Sequence, residues 1–269
     1  MQRRAIPSSG ELLPVIGCGT WRGFDVRAGQ REHLADVLRV LFEAGGSVID
    51  SSPMYGAAEA AVGELLTATN AREHAFLATK VWTRGRDPGI RQMRQSFRLL
   101  DTDVIDLLQV HNLLDYRTHI ATLREWKAEG RVRYIGVTHY TERAHDELEA
   151  VMRSESLDFV QLNYALDDRG AEDRLLPLAA ERGVAVLVNR PYGGGDLLRR
   201  LSRRELPSWV AELGCTSWAQ VLLKFILAHP AVTCVIPGTG NAAHMRDNAA
   251  AGYGPPPTAE QRRLILDAV

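Results

Sequence analysis

The chain has 269 residues, 45% of them hydrophobic and 24% charged, which suits one large domain whose core needs no staple or metal. Lys and Arg number 32 against 33 Asp and Glu, a formal net charge of -1, so no global field favours nucleic acid or an anionic membrane as partner. Cys18, Cys215 and Cys234 are odd in number and lack CxxC spacing, which argues against a disulfide framework or a zinc site and predicts reduced thiols in a cytoplasmic protein.

Along the chain, Arg3 and Arg4 are followed by no apolar signal-peptide core. Ser8-Ser9-Gly10 is a turn signal between two short extended pieces, and predicts a hairpin over residues 3–14. Short apolar runs then recur at residues 15–16, 47–49, 75–79, 106–110, 134–137, 159–162, 184–188 and 232–236. Most lie about 25 to 33 positions apart, the length of one strand-plus-helix unit. Because the runs are apolar throughout rather than alternating, they read as parallel strands covered on both faces. Eight such units in one chain of this length predict a single α/β domain over residues 1–269, a (β/α)₈ (TIM) barrel preceded by the hairpin. A doubly wound open sheet is the alternative with the same alternation.

Between the runs, residues 115–129 form an amphipathic stretch that ends at Gly130, a helix stop. Ser217-Trp218-Ala219-Gln220 reads as a capping box opening a helix to Ala228. That helix is the most apolar of the chain, yet Lys224 interrupts it and it is far too short to span a membrane. The gap after Val188 is the longest, and it opens on Pro191-Tyr192-Gly193-Gly194-Gly195-Asp196, which predicts a binding loop. His111, in contrast, is followed almost at once by the next helix, so the end of its strand is thinly covered.

Reactive groups of such barrels sit at the carboxyl ends of the strands. Those positions hold Asp50, Tyr55 in the loop behind it, Lys80 and His111. Carbonyl reduction needs a positioned acid, a group that tunes it and a polariser of the carbonyl oxygen. Tyr55 is the natural acid, Lys80 a charge that favours its phenolate, Asp50 the partner of the lysine, and His111 the donor to the carbonyl. Singly, these residues could equally be a turn Asp, a packing Tyr or His and a solvated Lys. Together, at neighbouring strand ends, they point to chemistry. No carboxylate cluster for a divalent metal stands beside them, so no metal is expected.

The segment Ile49-Asp50-Ser51-Ser52-Pro53-Met54-Tyr55-Gly56 with Glu59 and Gly63, then Thr79-Lys80-Val81-Trp82 and Gln109-Val110-His111-Asn112, resembles the aldo-keto reductases. Gly17-Cys18-Gly19-Thr20-Trp21, Gly136-Val137-Thr138 and Ile236-Pro237-Gly238-Thr239 extend the resemblance, in order, over essentially the whole chain. It implies a single barrel that binds NADP(H) without a Rossmann domain or metal, with Asp50, Tyr55, Lys80 and His111 as catalytic tetrad and a small-molecule carbonyl as substrate. Gly19, Thr20 and Asp50 match positions near the nicotinamide and its ribose; Thr138, His139 and Gln161 match the partners of its carboxamide. Asn189 stands where an aromatic ring commonly stacks. Pro191, Gly193, Gly195 and Leu197 match the pyrophosphate clasp, Gly238, Thr239 and His244 the region of the 2′-phosphate, and Asp247 and Asn248 the adenine contacts. Gly238 and His244 replace basic residues of many relatives, which leaves NAD(H) open as the second cofactor. Trp21, Trp82 and Asn112 match the substrate pocket, and the short cover after His111 and the lack of a long final tail predict an open, weakly selective one. A non-catalytic NADP(H)-binding sensor or regulatory barrel is the functional alternative.

Overall fold

A computed structural model describes residues 1–269. The hairpin forms as expected: β1 (Arg3–Ala5) runs antiparallel to β2 (Leu12–Pro14), and Gly10, at φ 77°, takes the left-handed turn position open to glycine. Eight parallel strands follow in sequential order: β3 (Cys18–Gly19), β4 (Val48–Asp50), β5 (Phe76–Val81), β6 (Ile105–His111), β7 (Val132–Thr138), β8 (Phe159–Asn163), β9 (Ala185–Asn189) and β10 (Val232–Val235). A doubly wound sheet reverses its strand order; this one does not. Parallel bridges from Ile16 to Val235 and from Gly19 to Gly238 join first to last, and the sheet closes into a barrel.

The first strand is displaced from the expected residues 15–16. Val15 and Gly17 bond backbone to backbone with Val235 on β10, whereas Cys18 and Gly19 pair with Ile49 and Asp50 on β4. The segment changes neighbour at Gly17, where a Cβ would sit 2.8 Å from that of Val48. One short apolar run therefore serves as two half-strands.

The helices are α1 (Glu32–Glu43), α2 (Ala58–Ala68), α3 (Arg86–Leu99), α4 (Tyr116–Ala128), α5 (His145–Ser154), α6 (Leu175–Arg182), α7 (Asp196–Leu201), α8 (Trp218–Leu227), α9 (Ala242–Ala250) and α10 (Ala259–Asp267). The long gap after β9 is filled by α7 and a 3₁₀ turn, Ser208–Leu213, before α8 begins. Ser217 caps α8 by accepting from the amide of Gln220 at 3.2 Å. The Gln220 side chain reaches instead to Thr216 and Asp247, so only half of the expected capping box is made. A complete box opens α10, where Thr258 and Gln261 cap one another. No helix is long and apolar enough to cross a membrane.

Strand periodicity divides the buried residues into two cores. One lies between strands and helices; the other lies inside the barrel and contains Val48, Phe76, Ala78, Leu107, Tyr134, Phe159, Leu187 and Ile236. Ile6 and Leu13 of the hairpin belong to the inner core, so the hairpin plugs the end of the barrel where the strands begin. Continuing each strand at a spacing of two leads from Val48 to Asp50, from Ala78 to Lys80, and from Leu107 to Gln109 and His111. The apolar floor and the polar mouth are one face of the same strands.

Candidate active site

Asp50, Lys80, Gln109, His111, Thr138 and Gln161 are all buried at the strand ends. Lys80 Nζ donates to Asp50 Oδ2 at 2.6 Å and to the Ser51 carbonyl at 2.7 Å. The other oxygen, Oδ1, accepts from Gln161 Nε2 at 2.9 Å and from Gln109 Nε2 at 3.2 Å. A buried carboxylate is costly unless its oxygens are satisfied, and here both are. Gln109 shares the inward face of β6 with His111, two positions on, and that spacing was the signal of a role the sequence reading passed over.

Tyr55 rides on the loop between β4 and α2. At φ 59°, Gly56 turns this loop against Asp25, whose carboxylate occupies the space a Cβ would need and accepts from the Ala57 amide at 2.9 Å. The phenol ring is thus held 5.2 Å, centroid to Nζ, from Lys80, and meets the His111 ring edge-on with centroids 5.9 Å apart at 87°. All four predicted groups share one mouth. Ser52, fully buried in the same loop, places Oγ 3.0 Å from His111 Nδ1.

Burial sets the charge states. It pulls the pKa of the Lys80 ammonium down, but Asp50 and Tyr55 outweigh it and the net shift is upward. For Tyr55, burial raises the pKa, Lys80 lowers it and Asp50 adds to the rise; the net direction is up. The sequence had suggested a lowered phenol, because proximity to Lys80 is legible in it and desolvation is not. Burial, with repulsion from Lys80 and then His139, holds His111 at about 3, so its imidazole is neutral.

On the neighbouring strands, Thr138 Oγ1 donates to Gln161 Oε1 at 3.1 Å, and Asn189 Nδ2 donates to the His139 carbonyl at 3.1 Å. His139 Nδ1 accepts from the Tyr140 amide at 3.0 Å, leaving Nε2 as the donor. Thr20 Oγ1 donates to the Asp50 carbonyl at 3.0 Å. Trp21 (54% exposed), Met54 (41%) and Trp82 (40%) stand out in solvent, and Trp82 lies 6.4 Å from the His111 ring. Asn112 (φ 52°) and Leu113 (φ 55°) turn the chain sharply away after β6.

Elsewhere the predicted contacts are engaged with the protein itself. The amides of Gly193 and Gly195 close turns on the carbonyls of Arg190 and Tyr192, so the glycine loop offers fewer free donors than its composition suggested. Leu197 is buried, while Pro191 starts the turn. The second and third amides of α9, those of Ala243 and His244, are taken by the Asn241 side chain, whereas the imidazole of His244 is exposed beyond Gly238 and Thr239. Asp247 accepts from Ser217 and Gln220, and Asn248 from the Tyr192 hydroxyl at 2.6 Å.

The sequence model of the Aldo/keto reductase family matches residues 15–264, everything between the hairpin and the last turn. This chain belongs to that family. Among its relatives, the aldo/keto reductase is 34% identical over 259 residues to a methylglyoxal reductase of Escherichia coli K12, covering 93% of this chain and 89% of that one. An NADH-specific methylglyoxal reductase of the same organism is 28% identical over 239 residues, 77% and 72% of the two chains. The solved aldo/keto reductase of Klebsiella pneumoniae in complex with NADP and acetate superposes with a TM-score of 0.84 at 26% identity, over 100% of this chain and 95% of that one.

Proposed function

We propose that this aldo/keto reductase reduces aldehydes and ketones with a nicotinamide cofactor, NADP(H) in preference to NAD(H), and that Tyr55 is its general acid. The observation that carries the reading is the buried Lys80–Asp50 ion pair beneath a half-buried Tyr55, with neutral His111 at the edge of the phenol. When bound, the nicotinamide supplies hydride to the carbonyl carbon; the remaining tasks fall to the protein. Burial keeps the phenol protonated before turnover, as an acid must be. His111, uncharged, has a ring N–H with which to hold the carbonyl oxygen. As negative charge develops there, Tyr55 delivers its proton, and the Lys80 ammonium stabilises the phenolate left behind. Asp50 keeps that ammonium charged and in place.

The strand ends fit a nicotinamide carboxamide. Asn189 Oδ1 is buried without a partner beside Gln161 and His139, an acceptor that the carboxamide N–H₂ would satisfy. The fit at the far end is leaner, since Gly238 brings no side chain and Asn241 takes two of the amides that open α9. His244 is therefore the residue we assign to the 2′-phosphate, in keeping with the NADP held by the Klebsiella enzyme. His244→Ala is expected to weaken NADPH binding about fivefold and leave NADH binding unchanged, measured by quenching of protein fluorescence; equal effects on both cofactors would remove His244 from that role.

Trp21, Met54 and Trp82, exposed in the segments that follow β3, β4 and β5, offer apolar surface at the strand ends, which suits small aldehydes such as methylglyoxal and larger aromatic ones alike. Trp82→Ala is expected to raise KM for an aromatic aldehyde about three- to tenfold and barely alter KM for methylglyoxal. Consumption of NADPH with a panel of such aldehydes tests the activity; no turnover with any, despite cofactor binding, would favour a regulatory barrel.

A further inference from the structure

We infer that Ser52 is a positioning residue that fixes the tautomer of His111, holding Nδ1 as an acceptor and leaving the hydrogen on Nε2 to face the carbonyl oxygen. The inference rests on the proposed reductase reading for its catalytic meaning, though not for its geometry.

Ser52 is fully buried, so its hydroxyl has no recourse to solvent. Two groups lie within reach of its oxygen, the Met54 amide at 3.4 Å and His111 Nδ1 at 3.0 Å. The amide can only donate. His111 Nδ1 is then the sole acceptor for the hydroxyl hydrogen. With the ring proton on Nδ1, Ser52 would receive two donors and bury its own hydrogen unpaired, a state native interiors avoid. With the proton on Nε2, the amide donates to Ser52, Ser52 donates to Nδ1, and every group is used. Only this second arrangement presents the substrate with a donor; the first would aim a lone pair at the carbonyl oxygen.

The charged neighbours do not offer His111 a third state. Burial opposes an imidazolium first, and Lys80 and then His139 add to that opposition. Tyr55 and Trp82 lie with ring centroids 5.9 and 6.4 Å from that of the imidazole, and Nδ1 is hydrogen-bonded to Ser52. Ser52 also accepts the Tyr55 amide on its own carbonyl, at 3.0 Å. The turn that aims the acid is thus the turn that sets the proton on its neighbour. A single residue couples the two groups that must meet the same oxygen.

The test is long-range ¹H–¹⁵N spectroscopy of the full chain labelled at histidine nitrogens, with the His111 signals assigned by their loss in His111→Asn. The wild-type protein is expected to show an unprotonated Nδ1 and a protonated Nε2. Ser52→Ala is expected to mix the tautomers and to lower kcat for aldehyde reduction about tenfold, with cofactor affinity unchanged and the melting temperature lowered by a few degrees for the partners left unpaired. Ser52→Cys, nearly isosteric and a weaker donor, is expected to fall between, and Ser52→Thr, which keeps the hydroxyl, to restore the wild-type spectrum. A protonated Nδ1 in the wild-type protein, or Ser52→Ala with wild-type tautomer populations, overturns the inference. A chain with the Nε2 tautomer but no carbonyl reduction would uphold it while sinking the proposed function.

Discussion

Tyr55→Phe is expected to lower kcat for aldehyde reduction by about 10²- to 10⁴-fold, the span of a positioned general acid. NADPH affinity and melting temperature should stay at wild-type values. The ring supplies the packing against Lys80 and His111, and phenylalanine keeps it. Only the hydroxyl is lost, and with it the proton that the forming alkoxide needs. Steady-state kinetics beside a fluorescence titration with NADPH check both halves. Wild-type turnover in the variant would assign the acid elsewhere; lost cofactor binding would mean that the ring, not the proton, had been removed from its task.

The second large effect belongs to Lys80. Lys80→Met leaves the Asp50 carboxyl buried with two amide donors, from Gln109 and Gln161, but no countercharge. Breaking a buried pair from one side costs about 3–5 kcal/mol, a fall in melting temperature of about 10 °C for a domain of this size. Catalysis should fall as far as in Tyr55→Phe, because the phenolate loses its stabilising ammonium. Adding Asp50→Asn removes the stranded charge, so the double variant should melt above Lys80→Met while remaining inactive. Thermal unfolding of the three proteins decides the matter. A single variant as stable as the parent would show that the buried ion pair contributes nothing net to stability.

Both predictions involve residues legible in the sequence. Eight apolar runs at regular spacing imply parallel strands, and the polar residue that follows a run lies at the carboxyl mouth, so Asp50, Lys80 and His111 could be placed by counting alone. Tyr55 required one further step, the short loop after β4. The position of the first strand was not legible, because Val15 to Gly19 divide their hydrogen bonds between β10 and β4, and no local pattern encodes a change of neighbour. The balance of effects on Tyr55 was hidden for a different reason. Proximity to Lys80 follows from topology, but the desolvation that outweighs it depends on everything packed around the phenol. The glycines at 193 and 195 and the start of α9 show a third kind of gap. Their small side chains and helix position suggested free amides, yet Arg190, Tyr192 and Asn241 from the same segments supply acceptors that occupy them. Ser52 was in plain view within a motif, and its contact with His111 depends on a loop turning back across the barrel mouth.

The central claim is that hydride passes at this mouth from the nicotinamide to a carbonyl carbon while Tyr55 supplies the proton. NADPH deuterated at both C4 positions, incubated with the full chain and an aromatic aldehyde, tests it most directly by mass spectrometry of the alcohol. The account predicts one deuterium on the carbinol carbon for each cofactor oxidised. Alcohol without label, or oxidation of the cofactor without alcohol, would contradict it.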